Sequence, residues 1–353
     1  MAVIIEGIHL ETVRQPLKTP FNTVLQQVTE REVIVVAVTG DSRDVGYGEC
    51  VAFETPWYNE ETISSCRFVL EQVLMPVLTN KTIEHPQEVW ELFKVVKGNR
   101  MAKAAIEMAV WDLFAKQQEE PLWKFVGGTQ QSIPAGVVVA ADPSKIKEQV
   151  AQAAKAGYQR IKIKIHPDSE PSFLKTVVYA YPELQFFADA NGSFSGHRLD
   201  RLKEFDEVGF TLIEQPFGER QWDLHTQAKK QLKTKICLDE SICSAEDVQQ
   251  MIDLEAGDII VLKMSRLGGW TETLKVIDLC KANTIGMWVG GMIEFGVSKA
   301  HNLALASLPG INYPGDFSAS AHFWEKDIIE PEISVENGKI FLSERPGIGY
   351  KVV

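Results

Sequence analysis

The chain has 353 residues, with 45% hydrophobic and 24% charged side chains. This suits one large globular domain plus a smaller one. Its net charge of −12 argues against a nucleic-acid partner, which favours a basic face, and against attraction to an anionic membrane. No apolar run approaches the ~20 residues needed to cross a bilayer. The N-terminal MAVIIEGIHLE meets Glu6 early and has no basic segment, unlike a secretory leader. Five scattered cysteines with no CxxC suit reduced thiols and a cytoplasmic location.

In chain order, Ile34–Val38 and Val45–Cys50, joined across Gly40-Asp41, predict an antiparallel hairpin. Helices are predicted over Asn59–Leu78, Pro86–Val96 and Met101–Lys116, the last apolar almost all round and so deeply buried. Strands followed by helices make residues 1–125 an α+β capping domain. From Ile133 the texture alternates. Strands are predicted at Ile133–Val139, Arg160–Ile165, Phe186–Asp189, Thr211–Glu214, Lys235–Asp239, Ile259–Lys263 and Ile285–Val289. Helices are predicted between them at Pro143–Ala156, Ser169–Tyr179, His197–Val208, Gln221–Leu232, Ala245–Leu254 and Trp270–Ala282, with another at Phe295–Ala306. Seven βα units in series favour a closed α/β barrel over residues 126–320. The glycine pairs at 127, 268 and 290 form neither GxGxxG nor a P-loop. Beyond residue 320 the period fails. Ile328–Val335 and Lys339–Leu342 are expected to be strands flanking Asn337-Gly338, and residues 321–353 to return to the first domain.

Asp189, Glu214 and Asp239 recur every 25 residues; Lys164 lies 25 before the first and Lys263 lies 24 after the last. Each stands at or near the end of a short apolar run. One strand, one helix and two loops fill such a period. Parallel strands would deliver all five groups to one edge, where barrel active sites lie. In Ile161-Lys162-Ile163-Lys164-Ile165, alternation puts the isoleucines on one face and both lysines on the other. An edge strand with solvated lysines is the plain alternative, but an interior strand has no solvated face. Two neighbouring, partly desolvated lysines should each hold a proton less tightly, which makes a base. Three converging carboxylates repel unless a cation joins them, and an all-oxygen set suits Mg²⁺ or Mn²⁺ over zinc. Singly, each acid reads as a helix cap and Lys263 as a snorkelling strand end; together they read as a site. A metal flanked by lysines suits proton abstraction beside a carboxylate, leading to racemisation, loss of a β-hydroxyl or cycloisomerisation.

At these residues the sequence resembles the enolase superfamily, in the branch with muconate-lactonising-type barrels. The likeness covers nearly the whole chain. KIKI matches the family's KxK motif with Lys164 as its second lysine, DANGSF matches at Asp189, EQP at Glu214, DES at Asp239, and the later lysine is Lys263. Within that branch it most resembles o-succinylbenzoate synthases and N-acylamino acid (N-succinylamino acid) racemases, through GYGECVAFETPWYNEET, NRMAKAAIEMAVWDLFAK, GGMIEFGVSKAHN and GDFSAS. The resemblance implies a (β/α)7β barrel under a capping domain, with mobile loops near residues 16–27 and 50–59 and substrate contacts at Phe21, Phe53 and Trp57. It implies that Mg²⁺ (or Mn²⁺) sits on Asp189, Glu214 and Asp239. It implies that Lys164 is the base in a syn elimination, and that Lys263 is a cation or a second acid/base. Lys162, Asn191, Gly291 and Met292 are its expected substrate-binding residues. The expected partner is a small-molecule carboxylate, in a homo-oligomer, with no nucleic acid or membrane. Val138, Phe295 and His322-Phe323 depart from the usual pattern and are expected to alter substrate contacts. The leading activity is o-succinylbenzoate synthesis for menaquinone, with N-succinylamino acid racemisation as the alternative. A non-catalytic metal-binding barrel is the reading of another class, and retention of both lysines argues against it.

Overall fold

The computed structural model describes residues 2–22, 26–139, 144–194 and 198–353. Three long antiparallel strands open the chain: β1 (Val3–Asn22), β2 (Gln27–Gly40) and β3 (Val45–Cys50), in sheet order β3-β2-β1-β4 with β4 at Thr82–Ile83. The expected hairpin is β2–β3. The sequence reading missed β1, which has polar residues interspersed along its length.

Helix α1 (Ile63–Val69) begins later than expected because Thr62 and Ser65 form a reciprocal capping box. After a π-helical turn at Leu70–Leu74, α2 (Met75–Leu78) completes the segment. Helix α3 is Glu88–Phe93, and α4 is Arg100–Gln117. The Glu61 carboxylate accepts from Met101 and Ala102 N–H at the start of α4, where orphan donors and the helix dipole favour a negative charge. Every residue from Met101 to Ala115 is buried. Ala105 and Ala109 let β3 approach so closely that a Cβ at Gly46 or Gly48 would meet the α4 backbone at 2.0 Å.

The barrel follows α5 (Leu122–Phe125) and β5 (Ser132–Pro134). Its parallel strands are β6 (Gly136–Val139), β7 (Arg160–Lys164), β8 (Gln185–Asp189), β9 (Leu212–Glu214), β10 (Lys235–Leu238), β11 (Ile259–Leu262) and β12 (Gly286–Val289). They pair in sequence order. The segment 314–316 occupies the eighth position: Asp316 N–H donates to Val289 O and Gly315 bridges Ala135 in parallel. Helices α6 (Ile146–Lys155), α7 (Pro171–Val178), α8 (Leu199–Lys203), α9 (Trp222–Gln231), α10 (Ala245–Asp253), α11 (Met264–Leu267), α12 (Trp270–Ala282) and α13 (Gly296–Ala306) fill the crossovers. Pro143 and His197, the expected starts of two of them, lie outside the described residues. Strand alternation separates two apolar clusters. Ile161, Ile163, Phe186 and Ile260 join the main core outside the barrel, while Phe187, Leu212, Cys237, Ile259, Val261 and Trp288 fill its interior.

Two expectations are corrected here. Ile133–Val139 is two strands, because β5 leaves the barrel to pair with β14 (Lys339–Phe341). The expected strand Ile328–Val335 is strand only at β13 (Ile329–Glu330), which pairs with β15 (Lys351–Val352). Asn337 and Gly338 do turn the chain, with φ of 50° and 73°. The last residues reach the α+β layer, where Gly347 O accepts from Leu122 N–H and Ile348 N–H donates to Asp112. Two buried glutamates join that layer to the barrel. Glu49 accepts from Phe295 and Ser298 N–H at the start of α13, and Glu107 from Thr271 N–H at the start of α12. No described helix is long and apolar enough to cross a membrane.

Candidate active site

Strand register explains the 25-residue interval. Lys164 pairs with Asp189, and Asp189 with Glu214, so three of the five groups share one level. Glu214 then pairs with Cys237, which places Asp239 two residues further along. Leu238 pairs with Ile260, so Lys263 again lies two residues beyond Asp239's level. This climb is the stagger that closure of a barrel requires. Because it is even, it keeps every group facing inward.

The carboxylates are almost wholly buried, and lysines meet them. Lys164 Nζ donates to Asp189 Oδ2 at 2.6 Å and Asn191 Oδ1 at 2.5 Å. Lys162 Nζ lies 3.2 Å from Asp189 Oδ2, 3.2 Å from Glu214 Oε2 and 2.9 Å from Asp316 Oδ2. Lys263 Nζ donates to Asp239 Oδ2 at 2.8 Å and to the Tyr58 hydroxyl at 3.0 Å. Arg266 Nη2 lies 2.7 Å from Asp239 Oδ1. All five periodic residues therefore converge, with Lys164 and Lys263 on opposite flanks of the acids.

Electrostatics divides the acids. Burial resists ionisation of Asp189, but Lys164 and Lys162 outweigh it and hold the carboxyl below its usual range. Burial is likewise outweighed at Asp239, by Arg266 and Lys263. Glu214 goes the other way: burial and then repulsion from Asp189 raise it well above the usual range, with Lys162 only partly opposing. Glu240 is lifted to about 7 by burial and by Asp239. The expectation that the neighbouring lysines of Ile161–Ile165 hold a proton less tightly fails for Lys162, and Lys263 behaves in the same way as Lys162. Burial does disfavour their charge, but Asp316, Glu214 and Asp189 outweigh it at Lys162, and Asp239 does so at Lys263; both hold their protons more tightly than a free lysine.

Lys162, Lys164, Asp189, Asp239, Glu240 and Lys263 line a cavity of about 510 Å³ beneath the capping layer, while Glu214 and Arg266 stand behind its wall. Asn191, Gly291 and Met292 line it beside Lys162, as do Val138, Phe21, Phe53 and Trp57. Phe295 does not. It is fully buried and stacks on Trp324 with centroids 3.9 Å apart, so its departure from the family pattern affects packing and not substrate contact. His322 and Phe323 do line the cavity.

Among the described residues no three His, Cys, Asp or Glu side chains already stand in chelating geometry, because lysines occupy the acids. The donor set nonetheless fits a hard cation. It is all oxygen; Glu240 Oε2 is buried without a hydrogen-bond donor, and Glu214 Oε2 has only the shared Lys162 ammonium, at 3.2 Å. Burying three carboxylates together calls for more positive charge than the lysines supply to Glu214.

Sequence reasoning missed the groups that hold this set in place. Gln215, with φ of 37°, accepts from Asp239 and Ser241 N–H and donates to Phe217 O and Ser241 Oγ. Asp316 bridges Lys162 to Arg160, whose guanidinium lies between Phe187 and Trp288 at 5.0 and 5.2 Å inside the barrel. Tyr58 and Arg266 were also missed. Gln215 lies within the quoted EQP and Asp316 within GDFSAS, so the motifs held these residues without revealing their contacts.

Residues 6–127 match the family described as Mandelate racemase / muconate lactonizing enzyme, N-terminal domain, and residues 145–353 match Enolase C-terminal domain-like. The o-succinylbenzoate synthase of Bacillus subtilis is 43% identical over 99% of this chain and 94% of its own length. The N-succinylamino acid racemase of Thermus thermophilus is 39% identical over 98% of this chain and 94% of its own. A crystal structure of an enolase-superfamily member from Listeria innocua superposes with a TM-score of 0.96 at 38% identity, over 99% of this chain and 95% of that one. The chain belongs to the enolase superfamily, in its mandelate racemase and muconate lactonizing branch.

Proposed function

We propose that this enzyme is a Mg²⁺-dependent o-succinylbenzoate synthase that dehydrates 2-succinyl-6-hydroxy-2,4-cyclohexadiene-1-carboxylate, in menaquinone biosynthesis. The observation that carries the reading is the placement of Lys164 and Lys263 on opposite flanks of three buried carboxylates in one barrel mouth. The names of relatives such as the Bacillus subtilis synthase support the choice of reaction. Asp189, Glu214 and Asp239 would hold Mg²⁺, with Mn²⁺ as a substitute. When bound, the ion would draw charge from the substrate carboxylate.

Lys164 Nζ takes the proton from the carbon bearing the carboxylate. Asn191 Oδ1, 2.5 Å away, orients that nitrogen. Lys263 keeps its proton and faces the negative charge that builds on the carboxylate oxygens. The Lys164 ammonium then gives its proton to the departing hydroxyl on the same face. The C–H and C–O bonds break, water leaves and the ring becomes aromatic. Gly291 and Met292 border the substrate, and Lys162 holds Asp189 and Glu214 from below. Purified protein with Mg²⁺ should convert the cyclohexadiene to the aromatic product, followed by ultraviolet absorbance; no conversion would sink this reading.

N-Succinylamino acid racemisation is a second reading. It is favoured by Lys263, which gives a second nitrogen on the far flank, and by the relatives that bear that name. We also infer a homo-oligomer, a small carboxylate as the sole partner class, and a cytoplasmic setting that the five free cysteines favour.

A further inference from the structure

Arg31, on β2, is a cation buried in the capping layer. It is 2% exposed, yet among the described residues it forms no ion pair. Its guanidinium donates instead to main-chain carbonyls. Nη1 meets Glu32 O at 3.0 Å and Ala52 O at 2.7 Å; Nη2 meets Val51 O and, at 3.5 Å, Met292 O. Its Cζ lies 3.9 Å from the centroid of the Phe53 ring. Burial loosens the proton, down to about 10 against an ordinary 12.5, and Glu49 and Glu294 oppose this only in part, so the charge persists. A flat fork of five donors with a stacking face lets one side chain gather several segments. Here they are β2, the loop that follows β3 and the turn that follows β12.

The loop gathered by Arg31 reaches one of the two lysines and not the other. Its base is closed: Phe53 bridges Thr62, and Ile63 N–H donates to Phe53 O at 2.9 Å. On that base the Phe53 ring packs against Trp57 at 4.4 Å and Tyr58 at 5.9 Å, and the Tyr58 hydroxyl accepts from Lys263 Nζ. Lys164 is held from the barrel alone, by Asp189 and Asn191. Among the described residues no hydrogen bond joins it to this loop. Resting on the reading that the two lysines serve opposite faces of the substrate, we propose that Arg31 is a positioning residue for Lys263 alone. By clamping Val51 and Ala52 and seating the Phe53 ring, it holds the Tyr58 hydroxyl against the Lys263 ammonium. Loss of Arg31 then unbalances the two faces: proton transfer at Lys263 suffers, while Lys164 works as before.

Proton exchange resolved by enantiomer tests this, in D₂O with Mg²⁺ and an N-succinylamino acid. Arg31→Met should slow exchange of the enantiomer served by Lys263 by about tenfold or more, the scale for a misplaced reacting group, and change the other by less than about twofold. A merely structural loss of folded enzyme would lower both together. Tyr58→Phe should slow the same enantiomer in the wild type and add little to Arg31→Met, because the two act through one contact. Arg31→Lys keeps the charge without the flat fork, so it should show the same bias, and it decides the matter if Arg31→Met does not fold. Equal slowing of both enantiomers, no slowing, or full additivity with Tyr58→Phe would overturn the proposal. A crystal structure of the variant gives a readout apart from activity: Tyr58 should leave hydrogen-bond reach of Lys263. If the wild type exchanges neither enantiomer yet Tyr58 moves away in the variant, the proposed chemistry falls and the positioning stands. If the wild type exchanges both, and the variant keeps Tyr58 on Lys263, the chemistry stands and the positioning falls.

Discussion

The Tyr58 hydroxyl, on the segment that follows β3, accepts from Lys263 Nζ at 3.0 Å and from Arg266 Nη1 at 2.6 Å. The capping layer thus touches a catalytic candidate directly. Burial, more than any neighbouring charge, lifts this phenol to about 12, so it stays protonated. Tyr58→Phe would leave the Lys263 ammonium with Asp239 and strip Arg266 Nη1 of its acceptor, while Arg266 keeps Asp239 and Ile242 O. We expect turnover to fall roughly tenfold, about 1.4 kcal/mol of barrier, with a smaller change in KM. Steady-state kinetics beside a thermal melt would check this; unchanged kcat would show that the contact is only structural.

Gly136 predicts a second effect at a distance. A Cβ there would meet the Arg160 guanidinium at 2.5 Å. Gly136→Ala should displace Arg160, loosen Asp316 and leave Lys162 poorly anchored. A loss of ~1–3 kcal/mol in stability is expected from such overpacking, with reduced turnover. Denaturant melts and kinetics measure both; wild-type values for both would refute the chain of contacts.

His301 sets a pH dependence. Its Nδ1 accepts from Trp270 Nε1 at 3.0 Å, and its Nε2 lies 2.8 Å from Tyr47 O and donates to it. Burial holds the imidazole down to about 4 against an ordinary 6.5. The unfolded chain therefore takes up this proton first as pH falls, and the stabilisation present above pH 6.5 is lost towards pH 4. Glu49 and Glu107, each raised to about 8 by burial, act oppositely, so the difference between wild type and His301→Gln is the test. That difference should narrow by on the order of 3 kcal/mol between pH 7 and pH 4. A constant difference in urea unfolding would contradict it.

Removal of metal is expected to abolish activity, and Mg²⁺ to restore it. A readout apart from activity is the melting temperature, which should rise with Mg²⁺ concentration as a ligand binds only the folded state. Glu214→Gln should remove that rise. If the variant retains the full rise, the ion binds elsewhere.

The sequence revealed the site far better than its supports. Lys164, Asp189, Glu214, Asp239 and Lys263 were legible because each barrel strand ends in a working residue and the repeat keeps them in phase. The stagger that lifts Asp239 and Lys263 was not legible, because register depends on barrel closure and not on local pattern. Strand β1 was missed because its burial alternates irregularly over 20 residues. Tyr58 and Lys263 are 205 residues apart, and Lys162 and Asp316 are 154 apart. Contacts at such separations carry no local signal. The pull on the lysines was misjudged for the same reason: KIKI shows the neighbouring lysine, while Asp316 is visible only in the fold.

The most direct test is exchange of the α-proton of N-succinylamino acids in D₂O, followed by NMR on each enantiomer separately with Mg²⁺ present. The account predicts exchange from both enantiomers in the wild type. It predicts loss of several orders of magnitude from one enantiomer in Lys164→Ala and from the other in Lys263→Ala. Wild-type exchange rates from both enantiomers in both variants would contradict it.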